Sequence, residues 1–536
     1  MKYHKKSSRR ALDARELPVP YPKDTAVAQV LSEPNPVQGD RRMMKTRDLS
    51  LFDAMIIAAT LVVLLGGAIA LFGSDALQGA TQIALMLTGF AAAVIGMKNG
   101  LSWNAIEANI VKATSRTIGT NLIFLSIGSL IGSLMLSGSV PTLLYVGLNI
   151  LSAEYFYPLC CLICALTSLC IGSSWTTAAT VGVGLIGVAY GFSLSPEITA
   201  GAVISGAYFG DKMSPLSETT NLAPAVTGSE LFSHIRHMTW VSIPSFIISV
   251  VLFAIVGLTA NVESESQAQV ERFLVTLDSS FNIAWYNLIP IVFVLMLAIK
   301  RVPALLAITA GTLLACLFAT LFQQPTLSRF VNDSELSQTM LVIKGLWLVL
   351  FDGFVLASGN EDVDSLLSRG GMSSMVNMVW LVLSSMMMAG VMEKVGFIQL
   401  IMRGMVSLVR STGSLIATTM TTCIGVNVLT GDQYLSLVLP GQMWQEEYRK
   451  RNLDTVNLSR TLEDAGTLTS PLIPWNACGV FMAGTLAVAT LSYLPYCFFN
   501  LINPVIALVY GYANIKIKQL HELAPEPESP PRQQIT

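Results

Sequence analysis

Residues 201–228 read GAVISGAYFGDKMSPLSETTNLAPAVTG, and the fold follows from where this stretch sits. It opens as a helix of small residues suited to close packing, then sets Asp211, Lys212, Glu218 and a run of hydroxyls beside Pro215 and Pro224. In a soluble protein this would be a polar turn. Here it lies between apolar segments of a chain with a mean hydropathy of +0.59, which puts the break at membrane depth. Non-helical backbone survives there only when it is buried in protein or lines a cavity. Pro215 removes an amide donor and frees carbonyls one turn back, which can then coordinate a cation or substrate. The stretch is therefore a candidate binding site, with Asp211, Ser214, Glu218, Thr219 and Asn221 as candidate ligands.

The 536 residues are 52% hydrophobic and 12% charged, the composition of an all-α polytopic membrane protein. A net charge of -2 argues against a nucleic-acid partner. The eight cysteines all fall in apolar stretches. The spacing of Cys161 and Cys164 lacks the second pair or the histidines a metal site requires, so buried thiols are expected and no cofactor. His4, His234, His237 and His521 are all expected in loops or tails. Residues 1–48 are polar and basic without an apolar core, which reads as a disordered cytoplasmic tail and not a signal peptide. Residues 516–536 form a second such tail, leaving 49–515 as the transmembrane domain.

Apolar spans are expected at about 52–72, 77–98 and 118–139, then a short interfacial helix at 140–152. Two apolar pieces, 158–171 and 178–192, are each shorter than a span, and GSSWTT at 172–177 joins them. Together they predict a re-entrant hairpin whose polar tip, with Ser174 and Thr176, reaches inward. The broken element at 197–229 leads to a loop with His234, Arg236 and His237, and 240–260 recrosses. Spans at about 286–300 and 303–322 open the second half; whether 341–358 crosses is left open.

From Ser374 onward the order repeats at an offset of about 256 residues: 118–139 matches 374–392, 140–152 matches 394–409, and the hairpin matches 411–445. Ser214-Pro215-Leu216 matches Ser470-Pro471-Leu472, and Asn221 falls close to Asn476. Charge orients the halves. The loop at 191–197 lacks Lys and Arg, whereas its counterpart holds Arg449, Lys450, Arg451 and Arg460. The positive-inside rule then predicts an inverted-topology repeat, about 50–260 and 286–515, with re-entrant hairpins and broken helices and both termini cytoplasmic. Such repeats put the site near the midplane, where broken helices from both halves meet.

GSSWTTAATVGVGLIGVA at 172–189, GAYFGDKMSPLSETTNLAP at 206–224 and VDSLLSRGGMSSM at 363–375 resemble the NhaC family of sodium/proton antiporters, with similarity from about 48 to 515. The resemblance implies exchange of cytoplasmic sodium for external protons in a bacterial inner membrane. It equally allows exchange of organic acids such as malate and lactate, as in family relatives. The expected partners are Na+ (or Li+) and H+ as transported ions and the lipid bilayer, with a homodimer left open.

Asp211 is the first candidate for the exchanging carboxylate, since a carboxylate inside a membrane is costly and usually functional. Asp432 at the second hairpin tip, where the first has only hydroxyls, is the second Na+ candidate; Asn427 lies five residues before it. Asp464, Ser470 and Asn476 at the second break complete the set, although Asp464 also reads as a rim residue beside Glu463. Trp175 reads as a gate or as packing. Exchange needs a carboxylate that holds either a proton or sodium; aspartate in water titrates near 3.9, so water must be excluded from the site. Organic-acid exchange would call for an arginine, and none is expected near either break. The third reading, an intramembrane aspartyl protease built on Gly210-Asp211 and Gly431-Asp432, conflicts with the repeated proline breaks.

Overall fold

Hydrocarbon offers the backbone no hydrogen-bond partner, so a chain that crosses it as single segments must do so as helices. The computed structural model describes residues 47–259, 265–333, 335–406 and 409–520; most of both expected tails, with His4 and His521, lies outside them. Among the described residues every regular element is helical, the one β feature being an isolated bridge between Leu453 and Gln519. Among the described residues eight helices are long and apolar enough to cross a membrane, or ten if each of two bent helix pairs counts as one span. The bends are 90° between Val270–Ser280 and Trp285–Ile299, and 89° between Ala477–Leu486 and Thr490–Tyr496. Outer faces are apolar, with Val62, Val63, Leu71 and Leu313 exposed, as lipid contact demands.

The repeated elements of the first half are α1 (Ile118–Leu136), α2 (Ser139–Ile150), α3 (Phe156–Ile171), α4 (Val183–Gly191), α5 (Pro196–Met213), α6 (Glu218–Thr227) and α7 (Leu231–Thr259). Those of the second are α8 (Val376–Val395), α9 (Phe397–Val406), α10 (Thr412–Thr430), α11 (Gln433–Lys450), α12 (Thr455–Leu462), α13 (Ala477–Leu486) and α14 (Phe498–Tyr512). The order of elements thus recurs at the offset read from the sequence. With the 3-10 turn before it, the first hairpin arm runs Ala153–Ile171, long enough to cross by itself, and so is Thr412–Thr430. The segment at 341–358 resolves into a 14-residue helix, Gln338–Phe351, followed by non-helical backbone.

Local chemistry sets the ends of α5 and α6. Ser195 caps α5 by accepting from the Ile198 amide, with Pro196 at the first helical position. The helix ends at Ser214, extended at φ -86° and ψ 128° because the following proline disfavours the helical region. Ser217 then restarts the chain as α6 by accepting from the Thr220 amide. The small residues of α5 let it approach α3 closely: a Cβ on Gly206 would lie 2.1 Å from the Cys161 carbonyl oxygen.

A second close approach explains the SRGGM run at 368–372. The Gly371 amide donates to the Gly128 carbonyl of α1 at 2.7 Å, and the Ser129 hydroxyl to the Leu350 carbonyl at 2.9 Å. Gly353, Gly370 and Gly371 all have positive φ there. The non-helical backbone at 352–360 and 368–372 is paired in part by these contacts, together with Phe354 amide to Arg369 carbonyl at 3.1 Å.

Three expectations need correction. The first arm of the hairpin at 158–192, expected to be shorter than a span, is long enough to be one once its leading turn is included. His234 and His237 are not loop residues; α7 begins at Leu231 and both are buried in its first two turns. Cys170 is exposed, unlike the other seven cysteines.

Candidate functional site

The first break brings a carboxylate to a hairpin tip. Gly172, at φ 76°, ends α3, and Ser173 caps the short turn Ser174–Thr177 by accepting from the Thr176 amide. A π-helical turn, Ala178–Gly182, joins it to α4. The tip presents Ser174 to Asp211: the Asp211 Oδ2 accepts from the Ser174 amide at 3.1 Å and from its hydroxyl at 2.7 Å. Asp211 is 7% exposed and, among the described residues, forms no ion pair. The Thr220 hydroxyl donates to the Lys212 carbonyl at 3.0 Å, and the Asn221 amide to the Pro215 and Ser217 carbonyls at 2.9 and 2.6 Å. Ser214 accepts from the Leu216 amide and Thr219 pairs with Ser217, so these side chains shape the break.

The second break is built differently. Gly431 ends α10 and Asp432 caps α11, its Oδ1 accepting from the Leu435 amide at 2.9 Å. After α12 comes a π-helical turn, Glu463–Thr467, then a 3-10 turn at Ser470–Leu472 and α13, capped by Asn476. Asn427 donates to the Gly466 carbonyl at 2.7 Å and accepts from Asn476 at 3.0 Å; Ser470 donates to the Thr467 carbonyl at 2.7 Å. These three hold the broken backbone together. Asp464 is no rim residue, being fully buried.

Contacts across the halves join the breaks. Lys212 pairs with the Oδ1 of Asp464, which also accepts from Asn503 at 2.7 Å. The Tyr434 hydroxyl donates to the Glu218 carboxylate at 2.5 Å. Trp175 stacks on Phe481 with ring centres 4.2 Å apart, so the hairpin tip is packed onto α13.

A cavity of about 640 Å³ opens beside these groups. Ser174, Thr176, Asp211, Glu218, Thr219, Asn221 and Asp432 line it; Ser214, Asn427, Asp464, Ser470 and Asn476 do not. Sequence reasoning missed Tyr434 and Arg301 on its wall. It also missed Arg460, counted among the cytoplasmic loop charges, which is fully buried with Nε 3.6 Å from the Asp464 Oδ2. The expectation that no arginine lies near either break is thereby overturned.

A membrane chain whose described elements are helical, with two broken elements and a cavity lined by the carboxylates Asp211, Glu218 and Asp432, has the build of a secondary transporter. A family model described as "Na+/H+ antiporter family" matches residues 206–515. The chain is 39% identical over 443 residues, 83% of its length and 92% of the relative's, to the "Na(+)/H(+) antiporter NhaC" of Alkalihalophilus pseudofirmus. It is 37% identical over 413 residues, 77% of its length and 88% of the relative's, to the protein of the same name from Bacillus subtilis. It is 32% identical over 431 residues, 80% of its length and 89% of the relative's, to the "Malate-2H(+)/Na(+)-lactate antiporter" of Bacillus subtilis. The chain belongs to the Na+/H+ antiporter family, a family of secondary transporters and not of enzymes, and the protease reading falls with that.

Proposed function

We propose that this protein exchanges Na+ (or Li+) for H+ across a bacterial inner membrane by alternating access, with Asp211 shared between the two cations. One observation carries the reading. Among the described residues Asp211 faces the cavity held by neutral donors, Ser174 foremost, and by no ion pair, while the lysine beside it in sequence is paired elsewhere. A membrane-depth carboxylate without a fixed countercharge needs a mobile one, a proton or a sodium ion. Glu218 and Asp432 on the same wall make the cavity attractive to cations. If more than one proton moves per sodium, the membrane potential adds about 2.3 kcal/mol per charge per 100 mV.

The cavity wall includes Leu231 and Phe232, close in sequence to Arg236, and Arg301 and Val302, next to Lys300; the positive-inside rule would put this basic side of the chain in the cytoplasm, and the cavity would then be open inward. In the inverted-repeat reading, α3 with α4 and α10 with α11 act as hairpins of opposite orientation. Ser193→Cys and Lys450→Cys, both at exposed positions, test this. An impermeant thiol reagent added outside is expected to label the first and not the second; labelling at 450 would overturn the inverted repeat.

A second reading has its own support. The cavity far exceeds a bare sodium ion and Arg301 lines it, so a small organic acid would fit. Proteoliposomes with a trapped pH dye, challenged in turn with sodium, lithium, potassium, malate and lactate, separate the two. A response to sodium and lithium alone is expected; a signal that requires malate or lactate would replace the cation reading.

A further inference from the structure

The buried ion pair between Lys212 and Asp464 binds neither transported ion in the exchange as described, yet its lysine is the residue next to Asp211. A buried ammonium needs a carboxylate partner, and Lys212 takes the one from the second half of the chain. The partner is held in place. Asp464 sits in the π-helical turn at Glu463–Thr467, accepts from Asn503 at 2.7 Å on the oxygen that meets Lys212, and has the Arg460 Nε 3.6 Å from its other oxygen. Arg460 is fixed in turn by His237 at 3.1 Å and by the Lys516 carbonyl at 3.4 Å. Lys212, Asp464, Arg460 and Asn503 are all 0% exposed.

Resting on the reading of Asp211 as the sodium site, we propose that Asp464 is a positioning residue: it anchors and neutralises Lys212, so that the negative charge of Asp211 is left to a mobile cation. Removing Asp464's charge leaves the Lys212 ammonium, next to Asp211 in sequence, without its ion-pair partner, and its field then repels sodium in a medium of low dielectric. Removing the lysine as well takes that repulsion away. A merely structural ion pair would show itself, and its rescue, in the yield of folded protein, and would leave the sodium dependence of the protein that does fold unchanged.

The test measures, in reconstituted full-length protein, the sodium concentration that gives half the maximal pH-dye response. Asp464→Asn is expected to raise it roughly tenfold or more, that is by about 1.4 kcal/mol or more. Lys212→Met in the Asp464→Asn background is expected to bring it back to within about threefold of wild type. A double variant as weak as Asp464→Asn overturns the proposal, as does a wild-type response in Asp464→Asn itself. Should Asp464→Asn fail to fold, Lys212→Met alone decides, since Asp464 keeps Arg460 and Asn503. Exchange with unchanged or tighter sodium dependence supports the proposal; lost exchange, or failure of both single variants to fold, overturns it. Asp211→Asn run alongside separates the two readings. Wild-type exchange in that variant rejects Asp211 as the site, whereas a failed rescue with Asp211→Asn inactive rejects only the role given to Asp464.

Discussion

Asp211→Asn is expected to abolish sodium-driven proton movement while the protein stays folded in the membrane. Asparagine keeps the size and one oxygen, and can still accept from the Ser174 amide and hydroxyl that hold the carboxylate. It cannot carry a proton or the charge that attracts sodium. No ion pair among the described residues is broken by the change, so the fold loses little. Asp211→Glu keeps the titrating group on a longer arm and should retain partial exchange with a shifted pH profile. Dye-loaded proteoliposomes read the exchange and detergent-solubilised yield reads the fold. Near wild-type exchange by Asp211→Asn would move the coupling carboxylate to Asp432, the other Na+ candidate on the cavity wall.

Gly371→Ala is expected to remove most of the folded protein. Its φ of +82° strains any side chain, and a Cβ there would lie 2.3 Å from the Gly353 amide nitrogen, with only backbone on both sides to give way. Strain of this kind costs about 1–3 kcal/mol by itself, and the overlap adds to it. Gly359 is the control: its φ is +88°, but nothing lies within 4 Å of a Cβ there. Gly359→Ala should therefore lower the unfolding temperature in detergent slightly and leave the yield intact. Equal behaviour of the two variants would show that the close packing of Gly371 on Asp352 and Gly353 contributes nothing.

The sequence made the cavity wall legible because its signals are local. A proline break, a run of hydroxyls and a hairpin tip each stand out within a few residues, and the repeat places them together. Seven of the twelve candidate residues line the cavity for that reason. The pairing of Lys212 with Asp464 was hidden because the partners are 252 residues apart and the repeat gives no pointer. At the offset of the two halves, Lys212 corresponds to Leu468 and Asp464 to Tyr208, neither of them charged. Arg460 misled through charge counting, which treats every basic residue beyond a span as solvated. The start of α7 does carry a local signal in the sequence: Glu230 accepts from the Phe232 and Ser233 amides at 2.9 and 2.6 Å, an acidic residue at a helix N-terminus.

The backbone seam between α1 and the segment around Gly371 bears on how the protein can move. Helices that meet through side chains can shear, because rotamers adjust as the surfaces slide. Here the carbonyl of Gly128 meets the amide of Gly371 directly, with no side chain between them to adjust. Any sliding of α1 along this segment would break that bond and drive backbone into backbone. The seam therefore resists shear between the two. Ile123, Ile127 and Leu130 of α1 form a wall of the cavity, and Asp211 and Ser174 lie on the parts that face it. If access to Asp211 alternates by rocking, the plane of slip runs through the cavity and not along the seam, with α1 as the fixed bank against which the hairpin and the broken helix turn.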